Sequence, residues 1–166
     1  MTALVSHLLH APTLCEEDPR SADAVALADI MAEITFGLYP EDADNGIFPT
    51  TTEELAQHGM LVLARVDGEA AACGALMAHG QVDGFDALEV KRMLVLPAFR
   101  GRGLSRLVLT RLEQIARQRD AQKLVLMCGP RQPEALRLYE TQGFVRRSAY
   151  GKHSEHPLSF FFKKIL

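Results

Sequence analysis

Several residue types are scarce in this chain, and each scarcity excludes a class of protein. The 166 residues contain no tryptophan, 7% aromatic residues and three cysteines. Cys15, Cys73 and Cys128 fit no metal-binding or redox spacing, so we interpret them as reduced thiols. No apolar run reaches the ~20 residues of a membrane-spanning helix, and the N-terminus lacks the basic start of a signal peptide. We therefore expect a cytoplasmic protein with no membrane partner.

Net charge is small as well, at −3, which argues against a general affinity for nucleic acid. The basic residues are nevertheless concentrated, because nine lysines and arginines lie between Lys91 and Lys123 against two acidic residues. The acidic surplus lies in the first half and includes Glu41, Asp42 and Asp44. A local basic zone on an acidic protein favours a small polyanionic ligand over a long polymer. A nucleic-acid module is further disfavoured because few aromatic residues are placed to stack on bases.

The hydrophobic pattern predicts one domain, residues 1–166, with a mixed α/β fold in the order β-α-α-β-β-β-α-β-α-β-β. From residue 67 onward the local signals are clear. Asp67-Gly68 predicts a hairpin turn, and "HGQVDGFD" predicts a broader turn region. The strand "ALEVKRMLVL" is predicted to end at Pro97. Apolar residues at helical spacing predict a helix over about 103–119. "KLVLMC" predicts a strand, and Pro133 and Gly143 bracket another helix before the two last strands "FVRRSAY" and "LSFFFKKIL".

The first half is less regular. "LVSHLL" predicts a first strand, and a helix follows that Asp18 would cap, with Pro19 in its first turn and Gly37 as its end. "YPEDADNGIFP" predicts a loop. The next helix starts at a capping-box spacing, Thr51 to Glu54, and ends before the hairpin.

The segment "PAFRGRGLSRLVL", residues 97–109, places glycines and arginines where a strand passes into a helix. The first turn of a helix has backbone N–H groups without internal partners, and the helix dipole favours negative charge there. Gly101 and Gly103 can adopt conformations closed to other residues, and Arg100 and Arg102 add charged donors. These features predict a phosphate-binding loop, with a tight turn and solvated arginines as the alternative.

Two stretches carry a resemblance to a known family. "MLVLPAFRGRGLSRLVL" resembles motif A of the GNAT superfamily of acyl-CoA-dependent N-acyltransferases, with Arg100, Gly103 and Ser105 at the fixed places of its core. Ser105 stands where the family usually has glycine or alanine. "QPEALRLYETQGF" resembles the second superfamily pattern, and its matching residues are Ala135, Leu138, Tyr139, Gly143 and Phe144.

The resemblance implies the GNAT fold, a central, mostly antiparallel sheet flanked by helices, and acetyl-CoA as co-substrate without a metal. It places the pantetheine arm on the strand residues Met93, Leu94 and Val95. It places the pyrophosphate on the backbone of Arg100, Gly101, Arg102, Gly103, Leu104 and Ser105. Gln132 stands where the family often has an asparagine that contacts the cofactor.

The resemblance also suggests catalytic residues. Tyr139 matches the family's general acid for the leaving thiolate, the alternative being a core aromatic residue. Glu89 lies on the strand before motif A, where the family often has a base, the alternative being a structural ion pair. Regular alternation would place Glu89, Lys91 and Met93 on one face of that strand. It would place Val90, Arg92 and Leu94 on the other.

The function implied is N-acetyl transfer from acetyl-CoA to a primary amine, by direct transfer in a ternary complex. The alternative is a non-catalytic acyl-CoA sensor with the same fold. The acceptor has no readable motif. The acidic segment "YPEDADN" is interpreted as a solvated loop, and the alternative is that its three carboxylates attract a cationic amine, since the family builds its acceptor pocket there. The apolar terminal strand is a candidate surface for a homodimer. His153, Glu155 and His156 lack a fourth ligand and do not predict a metal site.

Overall fold

Seven β-strands form one mixed sheet in the computed structural model, which describes residues 11–44, 49–151 and 158–166. The strands are β1 (Thr13–Glu17), β2 (Gly59–Val66), β3 (Glu69–Val82), β4 (Phe85–Val95), β5 (Lys123–Cys128), β6 (Val145–Arg147) and β7 (Phe160–Ile165). They lie in the order β1-β2-β3-β4-β5-β7-β6, and only β4 and β5 run parallel. This confirms the expected mixed, mostly antiparallel sheet.

The described residues form five α-helices beside the sheet: α1 (Ala22–Leu38), α2 (Pro40–Asp44), α3 (Thr52–His58), α4 (Leu104–Gln118) and α5 (Pro133–Thr141). On one face, α4 and α5 pack their apolar sides into the larger core, which includes Val108 and Leu112. On the other face, α1 and α3 bury Leu27 and Leu55. Among the described residues, no helix has both the length and the apolar character to cross a membrane.

From the hairpin at Asp67-Gly68 onward, the structure matches the sequence prediction closely. Asp67 and Gly68 both have positive φ, 51° and 86°, as the predicted two-residue hairpin turn requires. The predicted turn region "HGQVDGFD" is narrower than expected, because the strands β3 and β4 extend to Asp83-Gly84, a second positive-φ pair. The helix predicted over 103–119 is α4, and Pro133 stands at the first position of α5.

In the first half, several details of the prediction are wrong. Asp18 does not cap α1, because its side chain and carbonyl form a turn with the next residues and the Ser21 hydroxyl caps the helix instead. Gly37 lies within α1, which ends at Leu38. The predicted loop contains α2, and β1 was not predicted; the segment "LVSHLL" lies outside the described residues. The capping box of α3 is confirmed, with Thr51 and Glu54 each bonded to the other's backbone N–H.

A β-bulge interrupts the alternation of β4 at Arg92. The pairing with β3 runs from Ala75 opposite Lys91 to Cys73 opposite Leu94, so β4 has one extra residue there. Arg92 adopts φ of +52°, which is uncommon for a residue with a side chain.

The bulge corrects the predicted faces of β4. Met93 packs in the core under α4, where Val90 also lies, and Leu94 packs on the α1 and α3 face. The prediction that Met93 shares a face with Glu89, and Leu94 with Val90, was therefore wrong. Opposite the bulge, the absent side chain of Gly74 gives room to Met93, since a Cβ there would lie 2.6 Å from its Sδ.

Candidate functional site

The parallel strands β4 and β5 part after a short paired stretch. Their register comprises Ala87–Lys123, Leu88–Leu124 and Glu89–Val125, after which β4 continues along β3 and β5 along β7. The N–H of Leu96 donates to Ala71 of β3. In an antiparallel pair alternate residues face the partner, so the backbone groups of Val95 and Met93 face the gap and those of Leu94 face β3. The gap therefore offers a polar strand edge inside the sheet.

The glycine–arginine loop follows the open end of β4. A 3₁₀ turn, Pro97–Phe99, leads to Gly101 and Gly103 with φ of 77° and 75°, and Gly103 precedes α4 without a side-chain cap. The first recorded bond into the helix is from Leu107 N–H to Gly103, so within the described chain the amides of residues 101–106 have no acceptor. Arg100 and Arg102 are exposed beside them. This arrangement suits a pyrophosphate.

A cavity of about 210 Å³ occupies the gap. Of the predicted site residues it brings together Glu89, Met93, Gln132 and Tyr139. Leu94, Val95 and the loop residues Arg100, Gly101, Arg102, Gly103, Leu104 and Ser105 do not line it; they lie past its end, along β4 and at the start of α4.

Tyr139 forms the α5 wall of this cavity. Its ring packs edge-on against Phe144 and near Phe162, and the residue is 6% exposed. Within the described residues no hydrogen bond to its hydroxyl is recorded, and burial raises the pKa of the phenol above its ordinary value. Tyr139 is thus both a core aromatic residue and a cavity residue whose hydroxyl keeps its proton at neutral pH.

Beside Tyr139 lie Cys128, at the end of β5, and Gln132, which precedes α5. The Oε1 of Gln132 is 3.7 Å from the Cys128 Sγ. Burial raises the pKa of the Cys128 thiol to about 12. The thiol is therefore protonated near neutral pH and is a poor nucleophile.

Glu89 lies on the opposite wall, where the strands separate. Its carboxylate is 3.0 Å from the Lys91 Nζ and 3.5 Å from the His79 Nδ1, and it accepts a hydrogen bond of 3.2 Å from the Tyr150 hydroxyl. It also lines a second cavity of about 150 Å³ together with His79 and Tyr150. Glu89 thus makes the ion pair that the sequence left as an alternative, and its 12% exposed side chain still reaches both cavities.

Arg92 lies on the same wall and was not predicted as a site residue. It is 8% exposed and lines the larger cavity. Its Nη2 donates to the Thr50 carbonyl at 2.9 Å and to the Thr52 hydroxyl at 3.3 Å, but Nε and Nη1 are buried and have no acceptor in the part of the chain that the structure describes. Burial lowers the pKa of this guanidinium.

The acidic segment at α2 closes one end of the site. Asp42 is buried and lines the larger cavity, while Glu41 pairs with Arg131 at 2.7 Å and Asp44 is exposed. The Arg131 N–H donates to the Tyr39 hydroxyl at 2.8 Å, which joins the α1–α2 corner to the loop before α5. Of these three carboxylates, Asp42 is therefore the one inside the cavity.

One sequence signal for the missed residues was available. Lys91-Arg92 puts two adjacent cations inside a central strand, close to the carboxylate of Glu89, and charged residues are unusual in a strand covered on both faces. His79, Thr50 and Tyr150 come from separate elements, and no local pattern marks them. Among the described residues there is no group of three or more His, Cys, Asp or Glu side chains placed to hold a metal. His153, Glu155 and His156 lie outside the described residues.

Comparison with known proteins gives the family. The model of the acetyltransferase (GNAT) family matches residues 25–144. An IAA acetyltransferase of Azospirillum brasilense is 32% identical over 155 residues, 93% of this chain and 97% of that protein. The crystal structure of a Klebsiella pneumoniae protein described as an acyl-CoA N-acyltransferase superposes with a TM-score of 0.73 at 30% identity, covering 93% of this chain and 97% of that one.

A GNAT acetyltransferase of Elizabethkingia anophelis with acetyl-CoA bound has the same fold at 18% identity, with a TM-score of 0.67 and coverage of 93% and 98% of the two chains. The family match covers well over half of the chain and includes both motifs described above. The chain therefore belongs to the acetyltransferase (GNAT) family and is an acyl-CoA-dependent N-acyltransferase.

Proposed function

We propose that this protein transfers the acetyl group of acetyl-CoA directly to a primary amine, within one domain spanning residues 1–166. The observation that carries the proposal is the cavity at the β4–β5 gap, which has Tyr139 on one wall and Glu89 on the other. A proton donor and a proton acceptor thus face the same space from opposite sides.

The residues present fit acetyl-CoA, which would supply an activated acetyl group as a thioester. The amides of residues 101–106 and the flanking Arg100 and Arg102 would hold the pyrophosphate. The backbone groups of Met93 and Val95 that face the gap would bind the pantetheine arm, the Leu94 backbone between them faces β3, and Gln132 lies on the facing wall. These assignments are supported by the geometry of the loop and by the family motifs.

The two candidate catalytic residues have complementary roles. An alkyl amine is mostly protonated at neutral pH, since its pKa is about 10, and it must lose a proton before attack. The Glu89 carboxylate would take that proton, directly or through water, while Lys91 and Tyr150 hold the carboxylate in place. The Tyr139 hydroxyl, protonated because burial raises its pKa, would donate a proton to the leaving sulfur.

Direct transfer is favoured over a covalent acyl-enzyme. Cys128 is the cysteine that lines the cavity, and its raised pKa of about 12 leaves very little thiolate at neutral pH. Its recorded hydrogen-bond contacts are with Gly129 and Gln132, and neither residue is a base.

The test has two stages. Thermal unfolding is measured with acetyl-CoA, CoA, ATP or no ligand, and both CoA species should raise the midpoint much more than ATP. Thiol release from acetyl-CoA is then followed with a panel of primary amines, to which IAA is added because the Azospirillum brasilense relative is named for it. A CoA-dependent midpoint shift without turnover of any acceptor would favour the acyl-CoA sensor and contradict acetyl transfer.

A further inference from the structure

Arg92 is a buried cation that has no counter-ion among the described residues. An arginine side chain carries five N–H donors, and the two acceptors of Arg92, on Thr50 and Thr52, both bond to Nη2. Within the described residues, the donors on Nε and Nη1 have no acceptor, and no carboxylate lies within ion-pair distance of the guanidinium. Buried charges are normally paired, because an unpaired one is costly to remove from water.

The backbone at Arg92 is also unusual. The bulge holds this residue at φ of +52°, in the left-handed region where a side chain is strained. The side chain reaches Thr50 and Thr52, beside Glu89 on the cavity wall, instead of lying with Val90 in the core under α4. Backbone strain and an incompletely bonded charge are features that cluster at ligand-binding sites.

The β4 wall of the cavity carries three charged side chains, those of Glu89, Lys91 and Arg92. Glu89, where the strands part, has its own cation in Lys91 at 3.0 Å, so Lys91 is not free to bind an anion on its own. Arg92 is the cation of this wall that lacks such a pair. A molecule with an amine at Glu89 and an anionic group at Arg92 would complement both residues.

We propose that the acceptor is an amine that also carries a carboxylate, as a free amino acid does, and that Arg92 binds this carboxylate. The inference rests on the proposed function, since it names the substrate class of the same site. The carboxylate would accept hydrogen bonds from Nη1 or Nε, and charge-assisted bonds of this kind are about twice as strong as neutral ones. The lowered pKa of Arg92 is consistent with a guanidinium that lacks an anionic partner.

The experiment compares matched acceptors. The twenty common L-amino acids and their carboxamides are assayed for thiol release from acetyl-CoA with the wild type, with Arg92→Gln, and with the surface control Arg117→Gln. The amine of a carboxamide is less basic than that of the free amino acid, so a larger fraction of it is neutral at pH 7 and able to attack. Without recognition by the protein the amide should therefore react faster, and a preference for the acid shows that the site binds the carboxylate. For the best acceptor we expect the acid to have at least 10-fold higher kcat/KM.

Arg92→Gln should lower kcat/KM for the acid 10- to 100-fold and leave the amide within threefold, because only the acid loses a charge-assisted contact. Arg117→Gln should preserve the acid preference. Equal values for acid and amide in the wild type, or an equal fall for both in Arg92→Gln, would overturn the inference.

A binding measurement separates this failure from failure of the proposed function. The unfolding midpoint of the CoA-saturated protein is measured with each acid or amide at equal concentration. The acids should raise it more than the amides in the wild type, and this difference should vanish in Arg92→Gln. If neither plain alkylamines nor amino acids are acetylated, acetyl transfer is contradicted. The difference in unfolding midpoint between acids and amides then decides alone whether Arg92 binds a carboxylate, and equal midpoints would refute that role.

Discussion

Replacing Gly103 with alanine tests the phosphate loop without knowledge of the acceptor. Gly103 has φ of +75° and precedes α4, and an added Cβ would have no protein atom within 4 Å. Its Cβ would instead enter the space next to the free amides. Gly84 offers a matched control, because its φ is +78° and its Cβ would also meet open space, but it lies at the other end of β4.

The expected magnitudes follow from conformation and linkage. An alanine in the left-handed region costs about 1–2 kcal/mol, which lowers the midpoint of a domain of this size by roughly 3–6 °C. Gly103→Ala and Gly84→Ala should therefore be destabilised alike. At 100 times its Kd, CoA adds about 2.7 kcal/mol to the wild type, or roughly 8 °C. A tenfold weaker Kd in Gly103→Ala leaves about 1.4 kcal/mol, or roughly 4 °C.

Thermal unfolding with and without CoA, at one ligand concentration, gives all the values needed. In Gly84→Ala the midpoint without ligand should be lower than in the wild type, but CoA should raise it by the full amount. In Gly103→Ala CoA should raise the midpoint by about half of that amount. If Gly103→Ala retains the full shift, the loop does not bind the pyrophosphate. If both variants lose it equally, the effect is one of stability, and the reasoning from the loop's geometry is refuted.

Three further outcomes are expected. Tyr139→Phe should lower kcat about 100-fold, the scale of a lost general acid, with the CoA-induced midpoint shift unchanged; a kcat within threefold of the wild type removes Tyr139 from the mechanism. Glu89→Gln should lower kcat/KM at pH 7 by at least tenfold, whereas Glu113→Gln, which breaks the ion pair with Lys164 outside the cavities, should leave it unchanged. Because burial raises the pKa of Cys128 to about 12, iodoacetamide at pH 8 should label the half-buried Cys15 well before Cys128, as mass spectrometry of tryptic peptides can show.

The elements predicted best are those with strong local signals. The hairpin at Asp67-Gly68, the helix after the glycine–arginine loop and the helix that opens at Pro133 each combine a turn or cap residue with a clear apolar period. Around α1 the local signals compete. Asp18, Pro19 and Ser21 are all suitable for a helix start, and hydrogen bonding of the Ser21 hydroxyl to Ala24 decides between them.

Only part of the candidate site could be predicted from the sequence, because some of its residues meet only through strand pairing. The loop of residues 100–105, Gln132 and Tyr139 lie in continuous motifs, and the structure places Gln132 and Tyr139 on one cavity wall. The predicted faces of β4 failed because a bulge is a property of two paired strands, and the sequence of one strand does not show it. Arg92 became visible only when its unbonded donors and its cavity could be seen together.

The extra residue at Arg92 makes this position open to changes of length as well as of residue type. Deleting Arg92 would leave Lys91 opposite Ala75 and Leu94 opposite Cys73 with one residue between them on each strand, so β4 would pair with β3 without a bulge. Met93 would stay in the core under α4 and Leu94 on the α1 and α3 face, because their register with β3 would not change. Loss of this one residue would therefore remove the buried guanidinium and the strained backbone together while the strand beside the cofactor loop kept its register, and acceptor choice in descendants of this sequence should diversify at this position by deletion as well as by substitution.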